Sequence, residues 1–141
     1  MKKPQKLRIE VIHNRRAEVV LKEAIDKGNW FEAVVLSSVY LESYAIDRLR
    51  KYLASKRVRG RPFLHRMNLA RAARILEELR LIDQKTHSMI GDINAYRNKV
   101  VHEFRNPEVI KPDKAKQIVD QTLKCFEAIV SSYKTVEKQG K

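Results

Sequence analysis

The sequence has little cysteine, glycine or proline and no long apolar segment, and each of these absences argues against one class of protein. It has one cysteine, Cys125, so it can form no internal disulfide and does not suggest a secreted, disulfide-stabilised scaffold. Glycine and proline number four each, too few for a turn-rich all-β protein. The longest apolar runs are far shorter than a membrane span, and no apolar segment typical of a signal peptide follows the charged N-terminus. We therefore expect a cytoplasmic protein with no membrane partner, in which Cys125 is buried and unreactive.

Acidic residues are also scarce. The chain of 141 residues has 17 Asp and Glu against 30 Lys and Arg, a formal net charge of +13. This imbalance favours polyanionic partners, either nucleic acid or an anionic membrane surface. The length fits one domain, residues 1–141, with residues 1–8 as a basic and flexible arm.

Apolar residues recur at helical spacing through the chain, and no segment is typical of a strand. Gly28 suits a helix C-terminus, Asn29 with Glu32 resembles a capping box, and Asp83 and Pro112 suit helix starts. We expect an all-α fold, an antiparallel up-and-down bundle of four to five helices. The predicted helices cover residues 14–27, 30–55, 63–80, 83–103 and 112–136.

An arginine interrupts the apolar stripe of the fourth predicted helix. At 3.6 residues per turn, one line of this helix carries Ile90, Ile93, Arg97, Val100 and Phe104. A buried guanidinium needs a partner, because an unpaired buried charge costs several kcal/mol. Glu42, on the apolar face of the second helix, is the natural candidate. Arg97 could therefore form a structural ion pair, serve in a functional site, or do both.

A histidine follows Arg97 five positions later. His102 is four residues from Asn98, on the same side of the helix, but about 140° around the helix from Arg97. Arg97 and His102 of one straight helix would not reach the same small group. Either the helix distorts near its end, or a second copy of the chain completes the site across a two-fold axis. The alternative for His102 is a favourable helix-end position facing the last carbonyls.

The stretch "YRNKVVHE" resembles the R-N-x-x-x-H signature of the HEPN superfamily, the higher eukaryotes and prokaryotes nucleotide-binding helical domains. "SSVYLESYAIDRLRKYL" is similar to that superfamily's long early helix with a glutamate in its apolar face. "ILEELRLIDQKTHSMIGDINAYRNKVVHE" is similar to the segment leading into the signature. The resemblance covers the chain from about Trp30 to the end of the last predicted helix. It implies a bundle that forms a homodimer with the signature at the interface.

Many members of this superfamily are metal-independent endoribonucleases, including toxins paired with nucleotidyltransferase-like antitoxins. The resemblance implies that Arg97 binds the scissile phosphate and stabilises the charge developing on it, that His102 acts as general acid or base, and that Asn98 orients the histidine or the phosphate. The chemistry is sound, since RNA supplies its own 2′-hydroxyl nucleophile and histidine titrates near the working pH. No cofactor is expected, and the scattered histidines suggest no metal site.

Two further features bear on RNA binding. The basic loop "KRVRGRP" carries Lys56, Arg57, Arg59 and Arg61, which either contact an RNA backbone or form a solvated turn. Tyr96, beside the signature, either stacks on a base or packs at the interface.

Simpler roles are expected for the remaining aromatic and histidine residues. Trp30, Phe31 and Phe126 are predicted to be core residues. His13, His65 and His87 are predicted to be surface residues.

Three functional classes compete. The first is a homodimeric endoribonuclease, the toxin of a two-gene pair. The second is a catalytically inactive module that binds RNA, a nucleotide or a partner protein. The third, a basic membrane-surface protein, ranks last because packing the bundle leaves no amphipathic helix to bind a membrane.

Overall fold

The protein is a bundle of α-helices, which confirms the predicted all-α class. The computed structural model describes residues 16–57, 64, 66–103, 105 and 110–139. Within these ranges five helices and no strand are present, and no helix is both long and apolar enough to span a membrane. The helices are α1 (16–26), α2 (Trp30–Ser55), α3 (Leu69–Glu78), α4 (Gln84–His102) and α5 (Pro112–Gln139).

Local sequence signals account for most helix boundaries. Gly28 follows α1 with φ of +73°, a left-handed conformation that glycine adopts at little cost. The carboxylate of Asp83 accepts a 2.7 Å hydrogen bond from the Thr86 amide, so it caps α4 as predicted. Asn29 precedes α2, but its side chain makes no capping hydrogen bond. The capping box predicted for Asn29 and Glu32 is therefore wrong.

Helix α3 is shorter than predicted. We expected it to begin at Phe63, but it begins at Leu69, after Asn68 in an extended conformation. The Asn68 side chain accepts a 2.9 Å hydrogen bond from the Arg71 amide. An asparagine that accepts a hydrogen bond from an amide of the first turn favours a helix start at that point. The prediction placed the start earlier because apolar residues before Asn68 also recur at helical spacing.

Helix α2 lies at the centre and contacts α3, α4 and α5. Near its start Val34 packs with Val100 of α4 and Ala115 of α5, whereas near its end Arg48 bonds to Ser132 of α5. Helices α2 and α5 therefore run in the same direction and α4 runs antiparallel to both.

Helix directions alternate from α3 through α5. Glu77, near the end of α3, bonds to His87, near the start of α4. Helix α3 begins beside Glu42, in the middle of α2, and runs in the same direction as α2.

Among the side chains that the structure describes, one buried cation was not predicted by the apolar pattern. Arg48 is only 3% exposed, and its Nε donates a 2.7 Å hydrogen bond to Ser132 Oγ. Cys125 is fully buried, as expected, and burial raises the pKa of its thiol to about 12. Phe126 is buried and its ring stacks on Tyr44 with the centroids 4.1 Å apart.

Two simpler predictions need correction. Phe31 is 42% exposed on α2 and is not a core residue. His87 is not an isolated surface residue, because it is half-buried and its Nδ1 hydrogen-bonds a carboxylate oxygen of Glu77. His13 and His65 lie outside the described residues.

Candidate functional site

A polar cleft lies where the middle of α2, the start of α3 and the second half of α4 meet. Its volume is about 400 Å³, and Arg97 and Asn98 form its α4 wall. The other polar residues that line this Arg97 cleft are Ser38, Glu42, Ser43, Asn68 and Asn94. Because Asn94, Arg97 and Asn98 are three and four residues apart, they share one face of α4.

Arg97 carries an unsatisfied donor inside this cleft. The residue is half-buried, and its Nη1 donates a 2.7 Å hydrogen bond to Asn98 Oδ1. Its Nε is buried and has no hydrogen-bond partner among the described residues. Leaving a buried donor on a charged group unpaired costs about 1–3 kcal/mol or more. A bound acceptor, and an anion in particular, would remove that cost.

Glu42 does not neutralise Arg97. Both residues line the cleft, but the described side chains include no ion pair between them within 4.0 Å. The predicted Glu42–Arg97 ion pair is therefore wrong. Apolar periodicity placed both residues on facing helix surfaces, but the separation of those surfaces depends on the packing between α2 and α4. The guanidinium remains available to a ligand.

His102 is separated from the cleft. It is the last residue of α4, is exposed, and does not line the cavity that contains Arg97. The five-residue offset corresponds to a rise of about 7.5 Å along a regular helix and a turn of about 140°. Helix α4 reaches His102 without the end distortion that would bring the two residues together in one chain.

Tyr96 fixes the junction between α4 and α5. Its half-buried ring packs against the core, and its hydroxyl accepts a 3.4 Å hydrogen bond from the Lys111 amide. The ammonium group of Lys114 lies 5.5 Å from the ring centroid, within cation–π range. These contacts describe a packing residue that holds the signature helix against α5.

The predicted basic loop starts at the other end of α2. Lys56 and Arg57 are exposed there, about 20 Å along α2 from the level of Glu42 by helix rise. Arg59 and Arg61 lie outside the described residues. Lys56 and Arg57 are thus well separated from the Arg97 cleft and do not belong to its wall.

Sequence reasoning predicted Asn98 but missed two other amide side chains of the cleft, those of Asn68 and Asn94. Asn94 precedes Arg97 by three residues and could have been found from the helical spacing alone. Asn68 could not be found in this way, because it belongs to another helix. It is the N-cap residue of α3, and the sequence pattern predicted a different start for that helix.

Apolar side chains stand exposed around the cleft. Val39 on α2 lines it and is 48% exposed, and Val101 on α4 is 37% exposed. Val101 is four residues after Arg97 and therefore continues the same face of α4. Exposed valines next to a polar site are the kind of surface that a second molecule covers.

No group of three or more His, Cys, Asp or Glu side chains in the described ranges could hold a metal ion. No family model, curated protein or solved structure matches the chain. The geometry of the Arg97 cleft, with an unpaired guanidinium donor in a polar cavity, is therefore the basis for a functional interpretation.

Proposed function

We propose that this protein is a metal-independent endoribonuclease of the HEPN type that acts as a homodimer. The observation that carries the proposal is the buried, unpartnered Nε of Arg97 in the polar cleft. A guanidinium binds a phosphate through paired donors, and its Nε is one of the donors available for that geometry. The net charge of +13 would attract an RNA strand to the protein over a distance.

The neighbouring amides suit a bound phosphodiester. Asn98 already accepts a hydrogen bond from Arg97, which orients the guanidinium and leaves the Asn98 amide NH2 free to donate. Asn94 lines the same wall and can hydrogen-bond a sugar hydroxyl or a phosphate oxygen. Arg97 would bind the scissile phosphate, while Asn98 would position it.

The general acid or base has to come from a second copy. His102 lies outside the cleft of its own chain, so the proposal requires a two-fold axis beside α4 that brings His102 to the cleft of the other copy. The exposed Val39 and Val101 beside the cleft support an interface at this position, because pairing would bury them. One Arg97 then acts with the other copy's His102.

The reaction follows from these positions. His102 takes the proton of the 2′-hydroxyl, and the 2′-oxygen attacks the phosphorus. The bond from phosphorus to the 5′-oxygen breaks, and that oxygen takes a proton from a solvent water molecule as it leaves. The products are a 2′,3′-cyclic phosphate and a 5′-hydroxyl end. Arg97 stabilises the negative charge that develops on the phosphate oxygens.

We further propose that the protein acts in the cytoplasm as a toxin held inactive by a nucleotidyltransferase-like antitoxin. The proposal rests on the resemblance of the signature, and the exposed position of His102 supports it. A partner that covers the end of α4 would block His102 without disturbing the core.

The test is RNA cleavage by purified protein with a chelator present. We expect wild-type protein to leave 2′,3′-cyclic phosphate ends, and His102→Ala and Arg97→Ala to lose at least about 10² in rate. Lys99→Ala is the matched control, because it removes an exposed cation from the same helix. Intact RNA with wild-type protein, or equal loss in the Lys99 variant, would refute the proposal.

A second candidate is a catalytically inactive module that binds RNA or a nucleotide. The position of His102 outside the cleft favours it, because Arg97 and the amides can hold a phosphate without a general base. This module would retain RNA in a binding assay that depends on Arg97 and not on His102, and the RNA would stay whole.

A further inference from the structure

One acidic side chain of the Arg97 cleft has no part in the proposed reaction. Glu42 lies in the middle of α2, is half-buried, and lines the cleft. It forms no hydrogen bond and no ion pair with any residue that the structure describes. A carboxylate repels a phosphate, so Glu42 weakens the binding of an RNA strand at this cleft unless it binds another part of that strand.

Glu42 and Arg97 lie at different levels of the bundle. Val34 of α2 packs with Val100 of α4, so these two residues mark one level. Glu42 is eight residues after Val34, a rise of about 12 Å. Arg97 is three residues before Val100, about 4.5 Å in the same direction because α4 is antiparallel to α2. Their backbones are therefore offset by about 7.5 Å, and a ligand that bonds to both needs polar groups at two ends.

An amide donor lies beside Glu42. Asn68, at the start of α3, lines the same cleft. Its Oδ1 already accepts a 2.9 Å hydrogen bond from the Arg71 amide, which leaves the NH2 group of this side chain as a donor. The carboxylate of Glu42 only accepts, and it does so through two oxygens. This part of the cleft therefore offers one donor next to two acceptors.

The Watson–Crick edge of guanine carries the complementary groups. It presents the O6 acceptor, then the N1–H donor and the N2 amino donor side by side. Adenine and cytosine each present a single donor next to a ring acceptor, and uracil presents a single donor between two acceptors. A carboxylate is repelled by those acceptors, so it discriminates against these three bases. Proteins that read single-stranded RNA commonly bind bases at this edge.

We propose that Glu42 is a specificity residue that selects a guanine beside the scissile phosphate. Its two oxygens accept hydrogen bonds from N1–H and from the N2 amino group, while the Asn68 NH2 donates to O6. The inference rests on the proposed function, because Arg97 binds the phosphate of the same strand, and it adds the base that this strand presents. The cleft volume of about 400 Å³ is within the range of about 300–1,000 Å³ usual for small-molecule sites.

The test uses substrates that differ by single groups of one base. Short oligouridylates carry guanine, inosine, 7-deazaguanine or adenine at the centre, and cleavage at the two bonds beside this base is measured with a chelator present. Inosine lacks only the N2 amino group of guanine. 7-Deazaguanine changes only N7, which lies on the other edge of the base and outside the proposed contacts.

Wild-type protein should prefer guanine in this series. We expect kcat/KM beside guanine to exceed that beside adenine at least about tenfold and that beside inosine at least about fivefold, because each loses a hydrogen bond to a charged group. 7-Deazaguanine should stay within about twofold of guanine, since it keeps the whole Watson–Crick edge.

Glu42→Gln is the decisive variant, because it keeps the size of the side chain and replaces one acceptor by a donor. It should bring the ratio of guanine to inosine below about twofold and raise cleavage beside adenine relative to guanine. Its melting temperature should not fall by more than about 2 °C, since Glu42 has no described partner to lose. Glu32→Gln, which removes an exposed carboxylate of the same helix outside the cleft, is the control and should keep the wild-type ratios.

A second measurement separates this inference from the ribonuclease proposal. The same bases are placed in a fluorescent deoxyribose strand, which has no 2′-hydroxyl and is not cleaved, and binding is measured by anisotropy. We expect wild-type protein to bind the guanine strand at least about fivefold more tightly than the inosine strand, and Glu42→Gln to lose this difference. If RNA stays whole but this preference is seen, the ribonuclease proposal fails and the selection of guanine by Glu42 stands.

Equal values for guanine and inosine with wild-type protein, in cleavage and in binding, would overturn the inference even if RNA is cleaved. A loss of cleavage in Glu42→Gln by the same factor beside every base would overturn it as well, because Glu42 would then act on the reaction and not on the base. 7-Deazaguanine as poor as inosine would refute recognition at the Watson–Crick edge. A protein that neither cleaves nor binds these strands would contradict both proposals.

Discussion

The buried contact between Arg48 and Ser132 leads to a quantitative prediction. Arg48 Nε donates to Ser132 Oγ at 2.7 Å, and the two residues are 3% and 7% exposed. Ser132→Ala removes the acceptor and leaves a buried charged donor without it. A hydrogen bond to a charged group contributes about 1.5–3 kcal/mol, and alanine returns about 0.5 kcal/mol through its higher helix propensity. We expect a net loss of about 1–2.5 kcal/mol.

The neighbouring serine provides the control. Ser131 Oγ donates to the carbonyl three residues earlier, as Ser132 Oγ does, but Ser131 is exposed. Ser131→Ala therefore changes the same helix propensity and the same kind of local hydrogen bond, but leaves the hydrogen bond from Arg48 Nε to Ser132 Oγ in place. We expect it to leave the free energy of unfolding unchanged or to raise it by about 0.5 kcal/mol.

The assay is urea unfolding followed by helical circular dichroism, with thermal melts alongside. For a chain of this length each kcal/mol shifts the melting temperature by about 2–4 °C, so Ser132→Ala should melt roughly 2–10 °C below wild type. Equal stabilities of the Ser131 and Ser132 variants would refute the reasoning, because Arg48 would then be satisfied without Ser132.

Three further predictions follow from the described contacts. Arg97→Ala should not lower the melting temperature by more than about 2 °C, since Arg97 forms no ion pair with another described residue and the substitution also removes its unpaired buried donor; a larger fall would mean that its role is structural. Asp83→Ala should lower the free energy of unfolding by about 1 kcal/mol in urea titrations through loss of the Thr86 cap, and an unchanged value would contradict that role. Burial raises the pKa of Cys125 from 9.0 and of Tyr44 from 10.0, each to about 12, so the folded state favours their neutral forms. The contribution of these neutral forms to stability is complete below about pH 9 and is lost as the pH rises towards 12. The urea midpoint of unfolding should therefore fall between pH 9 and 12, and it should fall less in Tyr44→Phe; the same fall in that variant would contradict a contribution from Tyr44.

The sequence predicted those parts of the fold that depend on neighbouring residues. The bounds of α2 agree with its apolar period, and Gly28 and Asp83 ended and started helices through their own backbone and side-chain chemistry. These signals act between residues no more than four or five positions apart, so the local sequence is sufficient to predict where these helices begin and end. Asn29 shows the limit, because a suitable residue at a helix start still made no capping bond.

Contacts between helices could not be predicted in the same way. Arg48 and Ser132 are 84 positions apart, and nothing in either local pattern links them. Glu42 and Arg97 were paired because both interrupt apolar stripes, but pairing requires a distance that only the packing of α2 against α4 sets. The separation of Arg97 from His102 was predictable, because it follows from helix geometry alone.

The central claim is that each site contains Arg97 from one copy and His102 from the other. It is tested most directly by mixing the inactive variants Arg97→Ala and His102→Ala, allowing subunits to exchange, and measuring RNA cleavage with a chelator present. Random exchange makes half of the dimers mixed, and each mixed dimer has one complete site, so about a quarter of wild-type activity should return. Activity that stays at the level of the separate variants after exchange would contradict the claim.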